Sequence, residues 1–145
     1  MDNLRLISRN DEPTLEDKNV VRGRMLAYHS SKGHIRKEKD DYLSIVIKNQ
    51  KNNILGAIVV SFRWGAMHIE TLWINESIRK KGWGTKLMKK VEKEAIKRKC
   101  HLSYTDTFSW QAPKFYEKLG YTLYGKLNDY PKGGSLSYYA KRLDK

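Results

Sequence analysis

Seven residues, Arg79-Lys-Lys-Gly82-Trp-Gly84-Thr85, carry the sharpest chemical signal in this chain. They lie between an apolar, β-branched run ending at Ile74 and a helical pattern in which Leu87, Met88, Val91 and Ala95 share one face. A glycine turn that opens a helix presents unpaired N–H groups at the positive end of the helix dipole, and that arrangement binds phosphate. Gly82 and Gly84 stand where backbone must approach an anion closely, and Arg79, Lys80, Lys81 and Lys86 flank them. The spacing is not that of a Walker loop, and Leu87 occupies the place of the third glycine of a dinucleotide fingerprint. The loop is therefore read as a phosphate cradle of another kind.

Charge agrees in sign. The 145 residues hold 29 Lys and Arg against 16 Asp and Glu, a net charge of +13. Such a balance favours an anionic partner: a nucleic acid, a membrane surface or a phosphorylated small molecule. Arg79 to Lys99 alone carries ten basic residues against Glu92 and Glu94, a net +8. Other chemistries are disfavoured. One cysteine rules out an internal disulfide, and His29, His34, His68 and His101 are scattered singly, so no metal site is expected. Cys100 has no histidine placed to activate it and reads as a small buried residue. There is no run of 18 apolar residues and no secretory hydrophobic stretch at the start, so no membrane association and a cytoplasmic location are expected.

The elements that must position this loop follow from periodicity. Leu4 and Leu6 alternate with polar neighbours, which suits a short first strand. Thr14-Leu-Glu-Asp17 is a capping signature ahead of Val20, Val21, Met25 and Leu26, so a helix is expected at about 15–30. Strands are expected at Tyr42–Ile47 and Ile54–Phe62, paired as an antiparallel hairpin, and at His68–Ile74, which is apolar on both faces as a central strand requires. After the basic helix come a strand at Leu102–Thr107 and a short helix entered at Pro113 and closed at Gly120. A strand at Tyr121–Gly125, a turn-rich loop from Leu127 to Gly134 and a last strand at Leu136–Leu143 complete the chain. Interleaved strands and helices predict one α/β domain over residues 1–145: a single mixed, mostly antiparallel sheet of six to seven strands with helices on both faces.

At these residues the chain resembles the GNAT superfamily of N-acetyltransferases. Arg79-x-x-Gly82-x-Gly84, preceded by Glu70-Thr-Leu-Trp-Ile74, is similar to the family's acetyl-CoA signature. Downstream, Ala112-Pro-Lys-Phe-Tyr116-Glu-Lys-Leu-Gly120-Tyr121 resembles the later A-x-x-x-Y-x-x-x-G-[FY] helix. The likeness covers about Tyr42 to Leu143. Asp106 to Pro113, with Asp129 to Gly133, is similar to a bacterial subgroup of uncharacterised or small-amine enzymes.

The resemblance implies that the amides of Lys81, Gly82, Trp83, Gly84 and Thr85 bind the CoA pyrophosphate. Arg79, with Lys80 beside it, then supports that loop or meets phosphate directly. It also implies that the strand end Leu72-Trp73-Ile74 lies where two strands splay, so that backbone of Leu72 and Ile74 pairs with the pantetheine arm and the Ile74 amide polarises the thioester carbonyl. Acetyl transfer needs a neutral amine, although a free alkylamine has a pKa of about 10. Glu70 is the candidate base, on one face with His68, Leu72 and Ile74 by the period of two. Tyr116 matches the family's proton donor to the departing thiolate, and Ser109 stands where relatives often carry Asn toward CoA. Phe108, Trp110 and Tyr130 would wall the acceptor pocket together with His68, and Asp106 or Asp129 would attract a cationic amine.

The expected reaction is transfer of an acetyl group from acetyl-CoA to a small primary amine by direct attack in a ternary complex, without a metal. A protein amine or an aminoacyl-tRNA is the alternative acceptor. A non-catalytic nucleic-acid module using the basic helix is the competing class, disfavoured because no recognised binding pattern accompanies the charge. Pairing at an exposed sheet edge would give a homodimer.

Overall fold

A computed structural model describes residues 4–36 and 41–145. Contacts divide the chain into two compact units, Met1–Lys37 and Glu38–Lys145. In the first, α1 spans Leu15–Ser31, and the Thr14 hydroxyl accepts the Asp17 N–H at 3.1 Å, as the capping signature predicts. Residues 4–14 form no strand, contrary to the alternation of Leu4 and Leu6. Period two marks a chain that can pair, but a strand exists only where a neighbour supplies the ladder.

The second unit holds a six-stranded sheet in the order β1-β2-β3-β4-β6-β5. The strands are β1 (Asp41–Lys48), β2 (Ile54–Arg63), β3 (Ala66–Ile74), β4 (Leu102–Phe108), β5 (Thr122–Asn128) and β6 (Ser135–Arg142). Only the β3–β4 pair is parallel, and α2 (Trp83–Lys97) is its crossover. The other neighbours are antiparallel. The mixed, mostly antiparallel sheet is thus the one expected, with six strands. β5 runs on to Asn128, beyond the expected Gly125, because Leu127 and Asn128 find partners in Leu136 and Ser135. The reversal falls instead at Asp129, whose φ of 57° makes the turn.

α2 and the short α3 (Pro113–Lys118) pack on one face of this sheet. Leu87, Met88, Val91 and Ala95 of α2 meet Ile58, Val60 and Phe62 of β2 and Met67 and Ile69 of β3. Each large apolar side chain buried there contributes about 1.5–3 kcal/mol. Cys100 is buried beside them, as its type suggests.

The same face of β4 is polar, with Ser103, Thr105 and Thr107 all buried. Each is satisfied, which is what makes its burial tolerable. Ser103 Oγ lies 2.7 Å from the Tyr121 hydroxyl, which donates to Glu92 of α2 at 3.0 Å, and Lys141 donates to the same carboxylate at 2.9 Å. Thr107 Oγ1 accepts the Ala112 N–H at 3.3 Å and so ties the entry of α3 to the sheet. These bonds fix α2 and α3 over the point where β3 and β4 part.

Candidate active site

The parallel ladder runs from Ala66–Leu102 to Ile69–Thr105 and stops. The stop has a local cause. On the other edge of β3, Val60 pairs with Ile69 and Val59 with Thr71, which leaves Glu70 as the extra residue of a β-bulge. A bulge bends the strand that carries it and re-aims a side chain. β3 therefore leaves β4, and a gap opens with Glu70 on one lip and Asp106 on the other.

The bulge also corrects the sequence reading that placed His68, Glu70, Leu72 and Ile74 on one face. Before it, Met67 and Ile69 face the α2 core; after it, Leu72 and Ile74 do. His68 lies on the opposite face. The period of two does not survive an inserted residue.

Backbone direction at the gap follows from one hydrogen bond. Asn75 N donates to Leu55 O at 2.7 Å, so Asn75 points toward β2, and by alternation so does Trp73, which pairs with Ala57. Leu72 and Ile74 then direct their backbone groups into the gap. This removes Trp73 from the expected set, since its amide and carbonyl serve the β2 ladder. The Ile74 carbonyl is occupied by Arg79 Nε at 2.9 Å. Of the two roles expected for Arg79, support of the loop is the one this bond fulfils.

The phosphate loop has the required shape. Lys80 and Gly82 both adopt positive φ, 60° and 83°, on either side of Lys81. Alternating left-handed and ordinary residues turn successive N–H groups to one side, making an anion-binding concavity. Gly82 is the N-cap of α2, and no side chain bonds to the helix end. No acidic residue stands in the first turn, so the dipole there is uncompensated. Lys86 N bonds Gly82 O at 3.0 Å, leaving the amides of Trp83, Gly84 and Thr85 as the unpaired first turn. Gly84 is needed for packing: a Cβ there would lie 3.2 Å from the Phe115 ring of α3. The Trp83 ring is covered by Lys86, whose ammonium is 4.5 Å from its centroid.

Tyr116 of α3 is buried under the ladder's end, in an aromatic cluster with Phe115, Tyr121 and Tyr139. Burial pushes its hydroxyl up to about 12, hydrogen bonding with Thr105 opposes the shift, and the Asp106 charge adds to it. Thr105 in turn donates to Ile69 O at 3.0 Å, so the phenol is held at the last rung before the gap. It stays protonated at neutral pH, as a donor must.

That shift has a consequence for stability. A group whose folded pKa is raised binds its proton more tightly in the native state, so its contribution is complete below pH 10 and is lost as pH rises toward 12. Tyr121 is raised as well, by burial first. We expect the unfolding free energy to fall between pH 10 and pH 12, with Tyr116 supplying up to about 1.4 kcal/mol per pH unit. Urea melts at pH 9, 10 and 11 will check this: in Tyr116→Phe the fall should be shallower, and an unchanged slope would show that the phenol is not shielded.

On the opposite face, the His68 ring stacks on Tyr104 at 4.6 Å and 8°, and its Nε2 lies 3.6 Å from Asp106 Oδ1. Phe108 and Trp110 are stacked at 4.6 Å, with Tyr130 tilted 6.1 Å from Phe108. Phe108, Trp110 and Tyr130, the residues expected to wall the acceptor pocket, thus form one cluster at the far end of β4. Two residues assigned to ligands also hold loops. Asp129 Oδ1 accepts Gly133 N at 2.7 Å across the β5–β6 turn, and Ser109 Oγ accepts Ser135 N at 3.3 Å, joining the end of β4 to the start of β6. Sequence reasoning missed Thr105, Tyr104 and Tyr138, because their importance lies in strand neighbours remote in the chain.

Residues 9–121 match the family model described as "Acetyltransferase (GNAT) family". Acetyltransferase Atu2258 of Agrobacterium fabrum (strain C58) is 30% identical over 134 residues, covering 92% of this chain and 96% of that protein. Blasticidin-S acetyltransferase of Streptomyces morookaense is 30% identical over 95 residues, 65% of this chain and 70% of that protein. The crystal structure of an acetyltransferase from Bacillus cereus ATCC 14579 superposes with a TM-score of 0.81 at 31% identity, covering 93% of this chain and 97% of that one. The chain belongs to the GNAT family. It is an acetyl-CoA-dependent N-acetyltransferase. No helix among the described residues is long and apolar enough to cross a membrane.

Proposed function

We propose that the acceptor is the primary amine of a small molecule, acetylated by direct attack in a ternary complex. The observation that carries this reading is the fork itself. We read Glu70 at the bulge of β3, the Ile74 amide directed into the gap and Tyr116 beneath the last rung of the ladder as base, oxyanion donor and acid. One relative is named for acetylating blasticidin-S, which favours a small-molecule acceptor over a protein.

In the proposed cycle the amides of Lys81 to Thr85 receive the pyrophosphate, Lys80 and Lys86 add charge, and the pantetheine arm pairs with the backbone of Leu72. Glu70, directly or through water, takes a proton from the ammonium. The neutral nitrogen attacks the thioester carbonyl; a C–N bond forms, and the oxyanion meets the Ile74 N–H. Collapse breaks the C–S bond while Tyr116 supplies a proton to the sulfur. The attacking nitrogen gives up its second proton, which restores the phenol, and Glu70 passes the first to solvent, so the cycle closes with an amide, free CoA and one released proton.

Calorimetric titration with acetyl-CoA, followed by thiol-release assays on small amines and on a lysine peptide, tests this. Micromolar binding with turnover of small amines is expected. Turnover of the peptide alone would overturn the choice of acceptor.

A further inference from the structure

Four side chains on the sheet face opposite α2 form a constellation that acetyl transfer at the fork does not itself require. Asp106 and Tyr104 leave β4 two residues apart on that face. Tyr138 of β6 is the cross-strand partner of Asp106. Tyr124 is the extra residue of a second bulge, between Leu123 and Gly125 of β5, and its ring lies 5.9 Å from that of Tyr138. The Tyr124 hydroxyl is raised by burial and then by electrostatic interaction with Tyr104, Asp106 and Tyr138, so each of the three lies within electrostatic reach of it.

A carboxylate ringed by tyrosine rings is cation chemistry: the charge meets the carboxylate, and the ring faces supply cation–π attraction. The nearby His68 does not saturate Asp106, because 3.6 Å exceeds hydrogen-bond length. The side chains of Asp106 and His68 are 44% and 31% exposed, so the carboxylate can be reached from solvent. Position decides which cation. The gap lies between β3 and β4, with Asp106 and Tyr104 on β4 beside it, whereas Tyr138 and Tyr124 lie beyond them on β6 and β5, each strand adding about 4.8 Å. A charge seated between the Asp106 carboxylate and those two rings is set off from the gap toward β6, on the side away from β3.

We propose that Asp106, Tyr104, Tyr138 and Tyr124 seat a second, non-reacting cationic group of the acceptor, so that the preferred acceptors are diamines or amines with a remote cation. The inference rests on the reading that the gap is where the amine reacts. It sorts charge across the sheet: basic residues and a helix end toward the phosphates, a carboxylate and π faces toward the acceptor. Net charge alone argues for the opposite preference, since a chain of +13 repels the dication more than the monocation.

The test compares 1,5-diaminopentane with pentylamine by calorimetry, on the protein alone and with saturating CoA. The diamine is expected to bind at least tenfold more tightly. Asp106→Asn should bring the two within about twofold, and Tyr138→Leu should cost the diamine about fivefold, with acetyl-CoA affinity retained as the sign of an intact fold. Equal binding of the two amines, tighter binding of pentylamine, binding of neither, or a preference that survives Asp106→Asn overturns the proposal. The acetyl-CoA titration and thiol release report separately on the reading it rests on: a protein that turns over pentylamine as well as the diamine keeps the activity and loses the second cation site.

Discussion

Tyr116→Phe is expected to lower kcat about 100-fold while leaving acetyl-CoA affinity within about twofold, the usual scale for loss of one positioned acid. The substitution removes a single oxygen from an aromatic cluster. Phe115, Tyr121 and Tyr139 still pack around the ring, so the fold loses little. What it loses is the only change relevant to a leaving thiolate, whose conjugate acid has a pKa of about 8.5 if it behaves like a cysteine thiol. Burial keeps the phenol protonated far above neutral pH, and Thr105 fixes it at the last rung of the ladder. The measurement is steady-state thiol release set beside calorimetric acetyl-CoA binding. An unchanged kcat would remove Tyr116 from the chemistry; a large loss of acetyl-CoA affinity would mean that its role is packing under the cofactor.

The second large effect is expected at the phosphate loop. Gly82→Asp should weaken acetyl-CoA binding about 100-fold, close to 2.7 kcal/mol. Gly82 sits at φ 83° with open space where a Cβ would go, so an aspartate is accommodated sterically and meets only the backbone cost of that conformation, which Asp and Asn tolerate better than most residues. Its carboxylate would then lie at an N-cap and satisfy the amides that the pyrophosphate needs, adding a like charge. Gly82→Asn separates the two causes. It imposes a similar backbone cost without the charge, and it should lose less than tenfold. Equal losses in the two variants would show that loop shape, not anion recognition, sets the affinity.

How far the sequence reached depended on the range of the forces involved. The phosphate loop was legible because its parts are contiguous: a strand end, two glycines, flanking cations and a helix start, all set by local conformation. The buried face of α2 was legible for the same reason, since a period of 3.6 needs no knowledge of the partner. The Leu4–Leu6 strand failed where that locality ends, because a ladder requires a neighbour that alternation does not guarantee.

Inside the site the same boundary applies. The candidacy of Glu70, Leu72, Ile74 and Tyr116 for the chemistry could be read from the motifs they sit in. Their geometry could not. One extra residue at Glu70, visible only in the pairing of Val59 and Val60 with Thr71 and Ile69, turns Leu72 and Ile74 to the α2 side and opens the gap. Arg79, which by charge alone suits a phosphate, is directed to the Ile74 carbonyl because the short helix Glu76–Ile78 brings the chain back on itself. Asp106, Tyr104, Tyr138 and Tyr124 come together from three strands through register alone. The sequence by itself determined which residues have the right chemical types and the local turns that present them. The tertiary structure decided which types meet, because strand register and bulges are fixed by pairing between segments remote in the chain, and only that pairing sets the side and the distance at which each group acts.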